Sequence, residues 1–322
     1  MLLFGLIGIM VLIWTFNFVI AKVALNYLDP VTLAAFRVEA AGLIFLAVYL
    51  LSGRRAGTHR TAIARDSAAT STQRGLRLDR SEIWLFTRLG IFGVALNQML
   101  FTVGLSHTTV GHSALIIGTG PITVLLLAHL MGLESVTVKK VLGMALSFCV
   151  VAVLASEYGM HGSGGGTLRG DLITMVGSLA FAIYEVTSKK VAHRYDTLAM
   201  NTLMFLFGAV FILPLAVRQA LRLNWGAVGW QGWAAMLYMA SFASVIAYLI
   251  FYWALRHLVA SRLSAFTYLQ PIIATLLSIL LLGEKLTNHL LVGGGLVLVG
   301  VYLAEVGLRQ NGRKSETASG QH

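Results

Sequence analysis

The sequence predicts an all-α integral membrane protein whose ten transmembrane helices form two inverted five-helix repeats. Three observations lead there: a composition poor in charge, a recurrence of long apolar runs, and a match between the two halves of the chain. Of the 322 residues, 57% are hydrophobic and only 11% are charged, with a mean hydropathy of +0.79. An average soluble domain carries about 25% charged residues, so this chain has too little polar surface to coat a water-soluble globule. Its apolar runs reach the roughly 20 residues that cross about 30 Å of hydrocarbon as a helix. They do not alternate polar with apolar, as the strands of a membrane β-barrel would.

The first run, MLLFGLIGIMVLIWTFNFVIAKVAL, lacks a basic leader and an A-x-A-like site, and its apolar core exceeds that of a cleavable signal. It is expected to be the first span. The ten expected spans are 2–24, 31–52, 83–105, 110–131, 139–156, 171–190, 198–217, 231–253, 260–282 and 288–305. Polar breaks punctuate them at Asp29-Pro30, at the stretch from Gly53 to Glu82, at Lys139-Lys140, and at HGSGGGTLRGD from His161 to Asp171. The 53–82 segment, rich in Arg, Ser, Thr and Ala without an apolar stripe, is expected to be a disordered loop near anionic headgroups.

Lysine and arginine set the orientation, because cytoplasmic connections carry their excess. Seventeen lie on one side, including the seven arginines of 53–82, Lys189, Lys190 and the tail residues Arg309, Arg313 and Lys314. Five lie on the other: Lys22, Arg169, Arg218, Arg222 and Lys285. Both termini are therefore expected in the cytoplasm, with the protein in the inner (plasma) membrane. The net charge of +11 follows from this topology, and nucleic acid is not an expected partner.

The halves match at an offset of 150 residues. Pro121 pairs with Pro271, Glu134 with Glu284, His107 with His257 and Gly143 with Gly293, in a chain holding only four prolines. Spans 1 and 6 align at an offset of 167, pairing Trp14 with Phe181, Asn17 with Tyr184 and Lys22 with Lys189. The expected units are a first repeat at 1–157, a second at 168–306 and a cytoplasmic tail at 307–322. Five spans is an odd number, so the second copy enters from the opposite side, the arrangement that serves alternating access.

WTFNFVIAKVALNYLDPVTLAAFR from Trp14 to Arg37, the proline-centred spans 4 and 9, and Leu282-Gly283-Glu284-Lys285-Leu286 together resemble the drug/metabolite transporter superfamily, EamA branch. The resemblance covers nearly the whole chain outside 53–82 and the tail. It implies a ten-helix secondary transporter, many relatives being exporters of amino acids, other metabolites or drugs. Gly132-Leu133-Glu134-Ser135 departs from the pattern of the second copy, with its glycine displaced.

Polar groups inside spans are costly unless satisfied, so each is a candidate for lining a cavity. Trp14 and Asn17 share a face of span 1; Asn97 and Gln98 lie deep in span 3; Tyr268 and Gln270 flank Pro271. With Tyr184 and Tyr248 they form the candidate substrate-binding set, aromatic walls plus amide donors and acceptors. Pro121 and Pro271 remove backbone hydrogen bonds and are the expected kinks. Glu185 is the proton-coupling candidate, its alternative being a structural pair with Lys189 four residues on. Arg37 and Arg88 are expected to snorkel to opposite interfaces, His112 to be a hydrogen-bonded packing residue, and Glu134 and Glu284 to close helix turns.

No catalytic constellation, nucleotide-binding loop, metal-ligand spacing or cofactor motif occurs, and Cys149 alone makes no disulfide. The expected partners are a small-molecule substrate and the lipid bilayer. The alternative to a transporter is a membrane scaffold or a lipid-modifying protein.

Overall fold

The computed structural model describes residues 2–63, 80–133, 142, 149, 152–154, 167–297 and 299. Eight of its helices are long and apolar enough to cross a membrane. They are α1 (Leu2–Ala24), α2 (Pro30–Ile63, apolar through Ser52), α3 (Arg80–His107), α4 (Val110–Leu130), α5 (Leu168–Val191), α6 (Thr197–Arg222), α7 (Trp230–His257) and α8 (Ala260–Leu282). A ninth helix, α9, runs through 288–297. The expected span at 139–156 lies mostly outside the described residues, although 152–154 are helical and Leu154 packs with Leu115, Ile116, Tyr268, Leu290 and Val297.

Turn chemistry sets the starts and stops. Asp29 accepts from the backbone N–H of Val31 and Thr32 at the start of α2, and Asp196 accepts from Leu198 and Ala199 at the start of α6. Each satisfies amides that have no partner inside the helix. Gly132 and Gly283 follow α4 and α8 with φ of 69° and 67°, a left-handed conformation that ends a helix at no steric cost. The displaced glycine of the first copy thus ends its helix as the second one does. The Glu284 carboxylate accepts from the N–H of Val110 and Gly111 at 2.8 and 3.2 Å, so it caps α4 as well as following α8. Glu134 lies outside the described residues.

The basic segment departs from the expected disordered loop. Helix α2 continues to Ile63, and α3 already starts at Arg80, so 53–82 is not structureless throughout. The alanine and arginine of this stretch propagate a helix readily once α2 has nucleated it. Residues 64–79, the middle of the expected loop, are outside the described ones.

Two helices carry internal π-helical segments, Ile91–Leu96 in α3 and Met239–Ile246 in α7. Two others are interrupted just before a proline. Helix α4 breaks at Thr119, before Gly120-Pro121, and α8 tightens to a 3₁₀ turn at Phe266–Tyr268, before Pro271. A proline lacks an N–H and its ring crowds the carbonyl four residues earlier, so the disturbance falls N-terminal to the ring. The two helices meet there: a Cβ on Gly118 would lie 2.6 Å from the Pro271 ring.

Large apolar side chains such as Leu43, Val210, Phe211, Leu221 and Leu280 point outward from the helices. In water such a belt would drive aggregation, whereas in lipid it is the solvated surface. Because lipid tails are as apolar as leucine, helices hold together by close packing, and small residues permit it. Helix α3 approaches α6 through a pair of glycines, where a Cβ on Gly90 would fall 2.6 Å from the backbone nitrogen of Gly208. Gly90→Ala is therefore expected to cost about 1–3 kcal/mol by overpacking, read as a lower melting temperature in detergent. Gly8→Ala, within α1 and with open space around the new Cβ, is expected to keep or slightly raise it.

Candidate functional site

A cavity of about 110 Å³ lies at the centre of the bundle, walled by α1, α2, α3, α4, α5, α7 and α8. A single water needs roughly 10–15 Å³ measured in this way, so the space takes several waters or a small organic solute. Its wall is made of Trp14, Asn17 and Phe18 from α1, Arg37 from α2, and Asn97, Gln98 and Phe101 from α3. Helix α4 gives Ile117, Gly120, Pro121 and Val124; α5 gives Ser178, Phe181, Ala182 and Glu185. Tyr248 of α7 and Ser264, Thr267 and Gln270 of α8 complete it.

The aromatic side is a connected cluster. Trp14 meets Phe181 and Tyr248 edge-on with ring centroids 5.7 and 5.9 Å apart, and its indole N–H donates to the Ala243 carbonyl at 3.0 Å. Tyr248 donates to the Gly93 carbonyl at 2.8 Å, and Asn97 Nδ2 donates to the Gly177 carbonyl at 3.1 Å. These bonds use backbone oxygens, two of them in or beside the π segments, and they fix ring and amide orientations without consuming the cavity faces. The polar side centres on Ser244, whose hydroxyl accepts from Arg37 Nε at 2.9 Å. It stands within donor distance of Gln98 Oε1 and of the Met239 carbonyl. One hydroxyl proton serves only one of those two acceptors at a time.

The charged residues sit at different depths. Arg37 lies seven residues into α2, about 10 Å from that end of the helix. Asn17 and Gln98 approach the same face from the C-terminal parts of α1 and α3. Lys22 ties those two helix ends together by donating to the Leu105 and Thr108 carbonyls at 2.9 and 2.6 Å. Glu185 lies six residues before the end of α5, near the opposite face. There Lys189 donates to the Leu255 and Leu258 carbonyls at 2.7 and 2.6 Å, at the end of α7. The Glu185 carboxylate accepts from Ser264 at 2.6 Å. The cavity therefore has its cation towards one face and its acid towards the other.

Of the candidate set, Trp14, Asn17, Asn97, Gln98, Tyr248 and Gln270 line this cavity, as do Glu185 and Pro121. Tyr184 and Tyr268 do not. Tyr184 is fully buried among Phe181, Tyr248 and Phe251, and Tyr268 packs against Leu115 and Leu290. Pro271 is buried against Gly118 and is not part of the wall. Arg37 is the main correction: it is 3% exposed and faces the cavity instead of snorkelling. A position seven residues from a helix end is within reach of the interface for a long side chain, so only the face it occupies decides the matter. Ser178, Ser244, Ser264 and Thr267, which the sequence reading passed over, also belong to the site or its support; their short hydroxyls are too common in membrane helices to signal it. His112 pairs with Asp171 at 3.0 Å, and Asp171 also accepts from Thr108 at 2.6 Å, a buried cluster joining α4 and α5.

A bundle of apolar helices around a polar-lined cavity, with apolar side chains outside, defines a multi-pass membrane protein. Residues 2–156 and 168–305 match the EamA-like transporter family, and the chain belongs to that family. It is 26% identical over 299 residues to an "uncharacterized transporter" of Archaeoglobus fulgidus, covering 92% of this chain and 95% of that one. It is 25% identical to "uncharacterized transporter YyaM" of Bacillus subtilis, covering 90% and 88%. The "uncharacterized inner membrane transporter YedA" of Escherichia coli K12 is 23% identical, covering 95% and 91%. A solved crystal structure with 18% sequence identity superposes with a TM-score of 0.62, over 95% of this chain and 97% of that one, and so shares the fold.

Tyr248→Phe keeps the ring but leaves the Gly93 carbonyl without its donor. It is expected to lower stability by about 1 kcal/mol, read as a modest fall in melting temperature with the cavity's aromatic wall intact.

Proposed function

We propose that the protein is a secondary active transporter of a small organic solute (an amino acid, another metabolite or a drug), exporting it by alternating access across the inner membrane. The observation that carries the reading is the central cavity, with polar and aromatic side chains in its wall, lined by residues of seven helices in a chain of a transporter family. Such a lining suits an organic molecule better than a bare ion.

The proposed architecture is ten spans in two inverted five-helix repeats, with both termini cytoplasmic. Several details support the pairing. The family matches two successive stretches of the chain, 2–156 and 168–305. Lys22 and Lys189 make the same pair of carbonyl bonds at the ends of α3 and α7, and both of those helices carry a π segment. The interruptions before Pro121 and Pro271 fall in α4 and α8. Symmetric closures at two faces are what a molecule needs if each half opens in turn while the other is shut. The transported solute would sit among Trp14, Asn17, Asn97, Gln98, Tyr248 and Gln270, with Glu185 as the proton carrier that couples transport to the gradient.

Reconstitution into liposomes tests this. Labelled amino acids, organic acids, nucleosides, sugars and cationic drugs are offered with and without an imposed pH gradient. At least one solute is expected to accumulate against its gradient when protons flow. Glu185→Gln is expected to remove that accumulation while leaving solute exchange in place. Absence of flux for every solute class would favour a scaffold instead.

A further inference from the structure

Arg37 carries its charge inside the bundle, with its side chain almost completely buried. Its guanidinium carries five N–H donors, and one of them, on Nε, is used by Ser244. No carboxylate among the described residues forms an ion pair with it, and Glu185, the acid of the cavity, belongs to the level nearer the opposite face. Glu39, two residues along α2, points to a different side of the helix. An uncompensated cation at this depth is costly to the fold. A purely structural role would call for a partner to offset that cost, and the structure gives it a hydroxyl and a cavity.

The surroundings of Arg37 extend the same chemistry. Gln98 shares Ser244 with it and stands beside the Tyr248 side chain, and among the described residues its Nε2 donor makes no hydrogen bond; neither does Gln270 Nε2, elsewhere on the cavity wall. An unpaired donor beside a cation describes a site for an acceptor-rich anion. Among the described residues Arg37 is the only cationic side chain of the wall, which suits a group of one negative charge. The planar guanidinium fork matches the two oxygens of a carboxylate. Apolar area for the body of such a solute comes from Trp14, Phe101 and Phe181 of the same cavity.

We infer that Arg37 is the docking point for the carboxylate of the transported solute, so that the substrate class is an organic acid or amino acid with an apolar body. This deepens the transporter reading and rests on it. The bound carboxylate supplies the counter-charge that the fold omits, and Gln98 donates to it alongside the guanidinium.

The test is thermal unfolding of the full-length protein in detergent with 4-methylpentanoate, leucine, the amide of each, and chloride at matched ionic strength. A binder stabilises by mass action, and a carboxylate is expected to raise the melting temperature by roughly 2–4 °C where its amide does not. Arg37→Gln is expected to remove this shift while its own unliganded melting temperature equals or exceeds that of the parent, because a costly charge has gone. Arg37→Lys is expected to retain a reduced shift. A response to 4-methylpentanoate alone assigns a simple acid, a response to leucine alone an amino acid, and a response to both the carboxylate itself. The inference is overturned by equal shifts from amides or chloride, by no carboxylate shift at all, by a shift that survives Arg37→Gln, or by a fall in the variant's unliganded melting temperature. Liposome flux separates this from the parent reading: movement of uncharged solutes without carboxylates would sink the anion site alone, and no movement of any solute would sink the transporter.

Discussion

Hydrocarbon offers no hydrogen bonds, and that single constraint organises this molecule. Every backbone amide must be paired within its helix or by a neighbour, and every buried side-chain donor must find a partner or a cavity. Helices satisfy most of this by themselves. Where a helix is interrupted the debt has to be met from elsewhere, and the structure shows where. Lys22 and Lys189 take the carbonyls at the ends of α3 and α7, Glu284 takes amides at the start of α4, and Tyr248 takes a carbonyl within a π segment.

The same constraint explains why the interruptions gather around the cavity. Pro121, the π segments of α3 and α7 and the 3₁₀ turn of α8 all adjoin residues of its wall. Non-regular backbone is tolerated at membrane depth only where protein or a cavity receives its polar groups. Breaks in the helices, polar side chains and interior space therefore occur together at the centre of the bundle.

Close contacts complete the picture. Gly90 against Gly208, Gly118 against Pro271 and Gly170 against the His107 backbone leave no room for even a methyl group. With no hydrophobic force to press helices together in lipid, these approaches hold α3 to α6, α4 to α8 and α5 to the end of α3. The buried His112–Asp171 pair adds a polar tie between α4 and α5 of the same kind.

The sequence by itself determined the class of protein, because hydropathy is a property of composition and run length and needs no knowledge of neighbours. It located eight of the spans to within a few residues, since polar breaks and helix-capping residues are local signals. It also picked six of the residues that line the cavity, because amides and aromatics deep in a span have few other places to be. Only the tertiary structure decided which face each of them presents. Tyr184 and Tyr268, chosen on the same grounds, turn into packed interior, and Arg37, expected at the interface, turns inward to the cavity. The helical continuation of α2 to Ile63 was likewise hidden, because arginine and alanine serve a helix and a solvated loop equally well. Rotation of a helix about its own axis costs nothing until its neighbours are in place, and only their packing converts a position along the chain into a position around the site.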